Sequence, residues 1–228
     1  MNSEQHAYWN SFYTGKRSQE VPDQPSPFAT WVEDRLPRGA NVWEFGFGTA
    51  RDALWFASRG YSIKGFDFAE SAVLHARAEA VSHALDAEFS VLDLYDRDQV
   101  LRVTKAHLDH WAAPNVYGRF LLHALTDEGR HNLLDMASEV LARGGLLLLE
   151  FRTGEDAEAR HLFGEDHFRQ YLNPELVVAE ITSRGGTVID RLEGQGLAVY
   201  KTEDPHVARL VARWSPEDSG SRFGVVGK

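Results

Sequence analysis

The fold of this chain is constrained most by residues 41–67, which read NVWEFGFGTARDALWFASRGYSIKGFD. Apolar runs at either end predict two strands, and Gly46 and Gly48 allow a tight turn that can approach a ligand closely. The predicted helix after them presents unpaired backbone N–H groups. The second strand ends at Asp67, and 67 − 48 = 19 residues is close to the roughly 20 that separate a glycine loop from a ribose-binding carboxylate. These features predict a nucleotide-binding βαβ unit.

Two cofactors fit such a unit, and the charge at the end of the first strand separates them. Glu44 precedes Gly46 by two residues. A carboxylate there would repel the pyrophosphate of a nicotinamide dinucleotide, whereas it would attract the amino group and sulfonium of S-adenosylmethionine. The sequence therefore favours a methyltransferase over an oxidoreductase, and a binding protein that has lost turnover is a further alternative.

The motif resembles that of the class I methyltransferase family, in which an acidic residue precedes GxGxG and a second acidic residue, here Asp67, ends the next strand. The resemblance covers roughly residues 28–213. The third glycine is replaced by Ala50, and Phe47 stands between the first two. We expect the turn to survive if Ala50 has a negative φ, and Phe47 to pack beneath the cofactor or into an N-terminal lid.

The order of predicted elements indicates an α/β fold, because strands alternate with helices along most of the chain. The resemblance implies a Rossmann-like, doubly wound, mainly parallel sheet of seven strands with helices on both faces and the last strand antiparallel. We divide the chain into an aromatic N-terminal lid (1–27), a methyltransferase domain (28–214) and a C-terminal tail (215–228). The predicted strands are 41–45, 62–66, 87–92, 115–119, 146–151, 187–192 and 207–214, and the predicted helices are 28–36, 50–59, 69–80, 127–141 and 174–184.

Candidate cofactor-binding residues follow the first three strands, since ligands of open α/β sheets lie beyond the carboxyl ends of the strands. Aromatic residues of the N-terminal segment are added because spacings of one and four residues place them along one helical stripe, which forms either core or a lid. The predicted cofactor contacts are Tyr8, Trp9, Glu44, Gly46, Gly48, Thr49, Arg51, Asp67, Phe68, Asp93 and Leu94.

Candidate residues for the methyl acceptor follow the fourth and fifth strands. We predict catalytic roles for Tyr117, Arg119 and His123, with His123 as a general base because its ordinary pKa suits proton removal. Arg119 and Arg152 could clamp an anionic acceptor, although Arg119 could equally pair with Glu150 or Asp93. The predicted acceptor contacts are Tyr13, Arg152, His161 and His167.

The charge and residue composition of the chain exclude several classes of binding partner. The formal net charge of −10, without a run of Lys or Arg, argues against nucleic acid or an anionic membrane as a partner. The spacing of His161 and His167 does not suit a helical metal pair, and the chain has no cysteine. We expect a cytoplasmic monomer or homodimer without a metal, acting on a small molecule, with an anion as one option. O-methylation is favoured, with a saccharide or natural-product hydroxyl as the guessed acceptor.

Overall fold

A computed structural model of the chain describes residues 3–14, 21–108, 114–157 and 168–214. Within these ranges, two 3-10 helices lie at Leu122–Ala124 and Gly154–Asp156. The α-helices are α1 Ser3–Thr14, α2 Pro27–Glu33, α3 Arg51–Ser58, α4 Glu70–Ser82, α5 Arg97–Leu108, α6 Asp127–Leu141 and α7 Pro174–Ser183. The strands are β1 Asn41–Phe45, β2 Ser62–Asp67, β3 Ala87–Val91, β4 Asn115–Arg119, β5 Leu147–Arg152, β6 Gly186–Gly194 and β7 Val207–Trp214.

The strands form a seven-stranded sheet in the order β3-β2-β1-β4-β5-β7-β6. Strands β1 to β5 pair in parallel, and β7 runs antiparallel to both of its neighbours, β5 and β6. The predicted Rossmann-like architecture is confirmed. After β3 the chain crosses over to β4, which lies on the other side of β1. The strand order therefore reverses between β1 and β4, and such a switch point opens a crevice at the carboxyl ends of the strands.

Apolar side chains of alternate strand residues build a core on each face of the sheet. Trp43 and Phe45 of β1 belong to the cluster that packs against α5, α6 and α7. Val42 of β1 and Tyr117 of β4 belong to the opposite cluster, which packs against α2, α3 and α4. Successive side chains of a strand point to opposite faces of the sheet, so neighbouring residues enter different clusters. The polar residues lie at the carboxyl edge of the sheet.

Helix α2 begins with a capped turn that holds the N-terminal part of the domain on the sheet. Ser26 is its N-cap, and its side-chain oxygen accepts the backbone N–H of Ala29 at 3.0 Å. Pro27 occupies the first helical position, where its missing N–H costs nothing. Helix α5 was not predicted from the sequence, since its surface-facing residues are mostly polar. In the described ranges no helix has the length and apolar character needed to cross a membrane.

Phe47 takes a position that the sequence did not predict. It packs edge-to-face against Phe89 of β3, with ring centroids 5.0 Å apart, inside the cluster on the α3 side of the sheet. A Cβ atom at Gly65 of β2 would lie 2.9 Å from Cδ1 of Phe47 and would also collide with the ring of Phe89. Phe47 is therefore a core residue that needs a glycine opposite, and it belongs neither to the lid nor to the surface beneath a ligand.

Replacing Gly65 with Ala should destabilise the protein, because the two rings leave no space for a methyl group. Overpacking of this kind costs about 1–3 kcal/mol. Urea unfolding should show a lower midpoint with an unchanged slope. Gly154→Ala is the control, since a Cβ there meets nothing within 4 Å. Equal midpoints for the two variants would contradict the packing of Phe47.

Candidate functional site

The glycine loop after β1 is built from three left-handed residues. Gly46, Gly48 and Ala50 have φ values of +63°, +59° and +59°. The negative φ on which the sequence analysis made survival of the turn conditional is not found at Ala50, yet the turn forms. An L-residue in this conformation carries roughly 1–2 kcal/mol of strain, and Ala50 is held there by burial and by a 2.9 Å hydrogen bond from its N–H to the carbonyl of Phe47. The loop keeps the three-glycine path although one glycine is missing.

Asp67 fixes this loop to the end of β2. Its Oδ2 accepts the N–H of Gly48 at 2.9 Å, and its Oδ1 accepts the N–H of Ala69 at 2.9 Å. The side chain is buried, and the loss of hydration raises its pKa from 3.8 to about 6 against the lowering effect of the backbone donors. Each carboxylate oxygen has two lone pairs, so Asp67 can still accept hydrogen bonds from a ligand.

A cavity opens beside Asp67 at the carboxyl ends of β1, β2 and β3. Its volume is about 80 Å³, well below the roughly 300–1,000 Å³ of a pocket that holds a drug-sized ligand. Six residues predicted to bind ligand are brought together in its wall. The lining includes Trp9, Tyr13, Gly46, Asp67, Phe68, Leu92, Leu94, Phe120 and Leu121.

Helix α1 closes the cavity. Trp9 and Tyr13 stack with ring centroids 5.9 Å apart and both face the cavity, and Ser71 of α4 donates to the carbonyl of Asn10 at 3.3 Å. A Cβ atom on Gly48 would lie 2.8 Å from the Tyr13 hydroxyl. Burial, together with the nearby Asp67, raises the pKa of Tyr13 well above its usual value. Tyr8 packs on Trp9 and Phe12 outside this wall.

Glu44 lies at the end of β1 with only 4% of its surface exposed. Its Oε2 is buried without a hydrogen-bond partner. Burial raises the pKa of Glu44 well above its usual range, Asp52 adds to this effect, and Arg119 and Arg51 oppose it. A buried polar atom without a partner carries a desolvation cost of roughly 1–3 kcal/mol, so Glu44 is prepared for a donor that a ligand can supply.

Tyr117 occupies a structural position. It is fully buried between Phe28 and Phe56, and its hydroxyl donates to Oδ2 of Asp52 at 2.8 Å. Asp52 also accepts the backbone N–H and the hydroxyl of Ser26, each at 2.7 Å. Because its hydroxyl is bound inside the core, Tyr117 does not reach an acceptor. It holds α2 and α3 together at the base of the site.

Arg119 takes part in a row of charges across three adjacent strands. Glu150 of β5 is fully buried, and its two oxygens accept Nε of Arg119 at 2.9 Å and Nε of Arg209 at 2.8 Å. Arg209 of β7 also donates to the carbonyl of Leu197. The structure therefore realises the ion-pair alternative for Arg119, with Glu150 as the partner.

Arg152 is likewise engaged by carboxylates. Its Nη1 lies 2.6 Å from Oδ2 of Asp156, and its Nη2 bonds Oε1 of Glu203 in the β6–β7 connection. The guanidinium thus joins the segment after β5 to that connection. An anionic clamp made by Arg119 and Arg152 is not supported, because both side chains already bind buried carboxylates.

His123 lies in the 3-10 helix after β4, buried beside the ring of Phe120. Its Nδ1 is 3.2 Å from the backbone nitrogen of Arg152, which donates to it. A neutral imidazole with Nδ1 as acceptor carries its proton on Nε2. In this tautomer His123 offers a donor rather than a free lone pair, and that does not suit a general base.

The remaining predicted residues have mixed placements. Asp93 accepts the N–H of Tyr95 at 2.9 Å and shapes the turn after β3, while its neighbour Leu94 reaches the cavity. Thr49 is half-buried in the glycine loop. His161 and His167 lie outside the described residues.

Several residues near the site were missed at the level of sequence. Asp52, Asp156, Glu203 and Arg209 are charged yet buried, and only their pairing across distant segments explains this. Phe120 has a φ of +54°, and the Arg119 guanidinium lies 4.2 Å from its ring. The one usable signal was position, because Asp156 and Phe120 lie just beyond the ends of predicted strands.

The raised pKa of Asp67 predicts how stability varies with pH. A carboxyl whose pKa is higher in the folded chain binds protons more tightly there, so its contribution is fully present below pH 4 and is lost as the pH rises to about 6. At about 1.4 kcal/mol per pKa unit, the change is roughly 2–3 kcal/mol. The wild type should lose free energy of unfolding across this window more steeply than Asp67→Asn.

Urea unfolding at several pH values between about 4 and 7 measures this slope. The exposed Asp86 supplies the control, since Asp86→Asn should keep the slope of the wild type. If Asp67→Asn and the wild type show parallel curves, Asp67 does not carry a raised pKa.

Solved structures with the same fold are methyltransferases of several kinds. An S-adenosylmethionine-dependent methyltransferase from Anabaena variabilis matches with a TM-score of 0.71 and 16% identity over 92% of this chain and 93% of that one. The glycopeptide N-methyltransferase MtfA complexed with S-adenosylmethionine matches with a TM-score of 0.62 and 17% identity over 84% and 95% of the two chains. A structure described as "Conversion of a Disulfide Bond into a Thioacetal Group during Echinomycin Biosynthesis" matches with a TM-score of 0.65 and 19% identity over 94% of both chains.

The family assignment rests on the sequence itself. No curated protein matches the chain. The family described as thiopurine S-methyltransferase matches residues 6–180, which include most of α1, the glycine loop, Asp67 and β5. This chain belongs to the thiopurine S-methyltransferase family and is an enzyme that uses S-adenosylmethionine as its methyl donor.

Proposed function

We propose that this methyltransferase acts on a small molecule and that the accepting atom is sulfur. The cofactor supplies a methyl group already activated on a sulfonium, so the protein mainly has to align the reactants. The acceptor's sulfur forms a bond to the methyl carbon as the bond from that carbon to the sulfonium breaks, and the electron pair stays on S-adenosylhomocysteine.

The residues that hold the cofactor in this proposal are Glu44 and Asp67. Glu44 has a buried oxygen without a partner, and an ammonium group would supply the missing donors. Asp67 lines the cavity while both of its oxygens are anchored by backbone N–H groups, and hydroxyl groups of a ribose would donate to its remaining lone pairs. The two carboxyl groups would thus hold opposite ends of one ligand.

Helix α1 acts as the lid in this proposal. Trp9 and Tyr13 face a cavity of about 80 Å³, which is too small for the cofactor, so the helix has to move outward before the cofactor enters. Its contact with α4 includes hydrogen bonds from the Ser71 hydroxyl to the backbone carbonyl and to the side-chain oxygen of Asn10. Closure of α1 over a bound ligand would exclude water from the reaction.

The hydrogen bond from the Arg152 N–H to His123 Nδ1 is the observation that favours sulfur. With His123 held as a donor, an acceptor that loses its own proton has the advantage. A thiol has an ordinary pKa near 8.5 and is partly ionised at neutral pH, whereas an alcohol needs a base. The family description and the thioacetal chemistry named for one similar structure agree with this preference. The sequence alone favoured oxygen, and the guess of a saccharide or natural-product hydroxyl rested on no residue of the chain.

The acceptor should be neutral apart from this nucleophile, in place of the anionic molecule predicted from the sequence. Arg152 bonds both Asp156 and Glu203, so this part of the site contains two carboxylates for one guanidinium. Arg119 and Arg209 share Glu150. Neither group leaves an arginine free to pair with a charge on the acceptor.

A matched set of acceptors tests the proposal. Thiophenol, phenol and aniline share a ring and differ in the nucleophilic atom, and formation of S-adenosylhomocysteine reports turnover with each. We expect methylation of thiophenol, little or none of the other two, and less than a tenfold loss of turnover in His123→Ala.

Two results would contradict the proposal. Turnover of phenol but not thiophenol would make oxygen the accepting atom. A loss of about 10²–10⁴ in His123→Ala, the range that removal of a general base produces, would restore His123 to a catalytic role.

A further inference from the structure

Phe120, the first residue after β4, combines a strained backbone with a side chain in the wall of the cavity. Its φ of +54° lies in the left-handed region, where a bulky L-residue is an outlier. The hydrogen bond from its N–H to the carbonyl of Glu150, at 2.8 Å, holds the chain there. Glycine would adopt this φ without strain. Strained residues cluster at functional sites, which indicates that the ring of Phe120 has a role.

Two guanidinium groups lie against this ring. The Cζ atom of Arg119 is 4.2 Å from the ring centroid and that of Arg152 is 5.1 Å from it, both within the range of a cation–π contact. The imidazole of His123 meets the ring edge-on, with centroids 5.4 Å apart. Phe120 lines the cavity, whereas the other three side chains are absent from the described part of its wall. Phe120 is therefore the member of this group that a ligand in the cavity meets.

Arg119 keeps donors that its ion pair does not use. Its hydrogen bond to Glu150 runs through Nε, and neither of its Nη groups donates to a residue in the part of the chain that the structure describes. The side chain is 17% exposed. The two Nη groups carry four N–H donors, which suit a carboxylate in geometry and charge. An anionic group that came within reach of Arg119 would therefore be bound.

We propose that Phe120 determines the charge of the acceptor, because its ring covers the guanidinium groups of Arg119 and Arg152 and keeps an anionic acceptor from reaching them. This rests on the proposed function, in which a small thiol binds beside the cofactor, and it assigns the preference for a neutral acceptor to one residue. Phe120 selects the acceptor and takes no part in the transfer of the methyl group.

Removing the ring should turn the preference toward anions. Phe120→Gly suits the left-handed backbone and opens the cavity to Arg119. The acceptors 4-mercaptobenzamide and 4-mercaptobenzoate share a ring and a thiol and differ in the charge of one group, so the ratio of their kcat/KM values, measured by formation of S-adenosylhomocysteine, reports the preference. The wild type should favour the amide. In Phe120→Gly the ratio should shift toward the benzoate by about 10- to 150-fold, the effect of a charge-assisted hydrogen bond.

Two further variants separate the loss of the cover from the gain of space. Phe120→Leu keeps an apolar side chain over the guanidinium groups on the same backbone. Leu121→Ala enlarges the same cavity from the neighbouring position, since Leu121 also lines it, and leaves the ring of Phe120 in place. Both variants should keep the ratio of the wild type. Calorimetry with S-adenosylhomocysteine shows whether each variant is folded, and Phe120→Ala carries the same expectation if Phe120→Gly is not.

The possible failures are distinguishable. An unchanged ratio in Phe120→Gly, an equal shift in Phe120→Leu, or a wild type that favours the benzoate would overturn the role of Phe120. If the wild type methylates neither thiol, the sulfur acceptor of the proposed function is wrong. Binding of benzoate and benzamide to the complex with S-adenosylhomocysteine then tests Phe120 by itself, and Phe120→Gly should gain affinity for benzoate alone. Equal benzoate affinities in Phe120→Gly and the wild type would overturn the proposal.

Discussion

The carboxylate of Asp67 is the constraint on which the site depends. By accepting the N–H groups of Gly48 and Ala69, it ties the loop after β1 to the end of β2 and fixes where α3 begins. The loop it holds contains Ala50 in a left-handed conformation, and the strain there persists because the surrounding contacts specify the path of the chain. A buried acid with a raised pKa is a cost to the folded state. Asp67 lines the cavity at the carboxyl ends of the strands, where it places a hydrogen-bond acceptor.

Charged side chains at the carboxyl edge of the sheet divide into two kinds. The first kind consists of buried groups whose partners lie within the protein. Glu150 pairs with Arg119 and Arg209, and Arg152 pairs with Asp156 and Glu203. Removing one member of such a set leaves the others uncompensated, so these groups hold the carboxyl edge of the sheet together. Glu44 is of the other kind, since its Oε2 is buried without a hydrogen-bond partner. This difference between partnered and unpartnered carboxylates is the reason that the proposed function assigns Glu44, and not Glu150, to the ligand.

Much of this architecture could be predicted from local patterns. The βαβ unit, most strand positions and the placement of Gly46 and Asp67 beside one cavity follow from spacing and strand order. The antiparallel last strand was implied by the family resemblance. The pairing of Arg119 with Glu150 was one of the alternatives that the sequence left open, and the pairings of Tyr117 and Arg152 could not be predicted. Their partners Glu150, Asp52 and Glu203 lie 31, 65 and 51 residues away along the chain. Likewise, a backbone hydrogen bond from Arg152 determines which nitrogen of His123 carries the proton, and no pattern of side chains reveals it.

The assignment of Glu44 and Asp67 to the cofactor is tested most directly by measuring the protons released when a ligand binds. In the free protein the pKa values of Glu44 and Asp67 are raised mainly by burial, and an ammonium group at Glu44 or hydroxyl donors at Asp67 would favour the ionised carboxylates. Titration of the wild type with S-adenosylhomocysteine near pH 6, in two buffers of different ionisation enthalpy, measures the protons exchanged. Binding should release protons to the buffer, so the observed enthalpy should differ between the buffers in that direction. Tight binding with identical enthalpies, or with proton uptake, would contradict the assignment of both carboxyl groups to the cofactor.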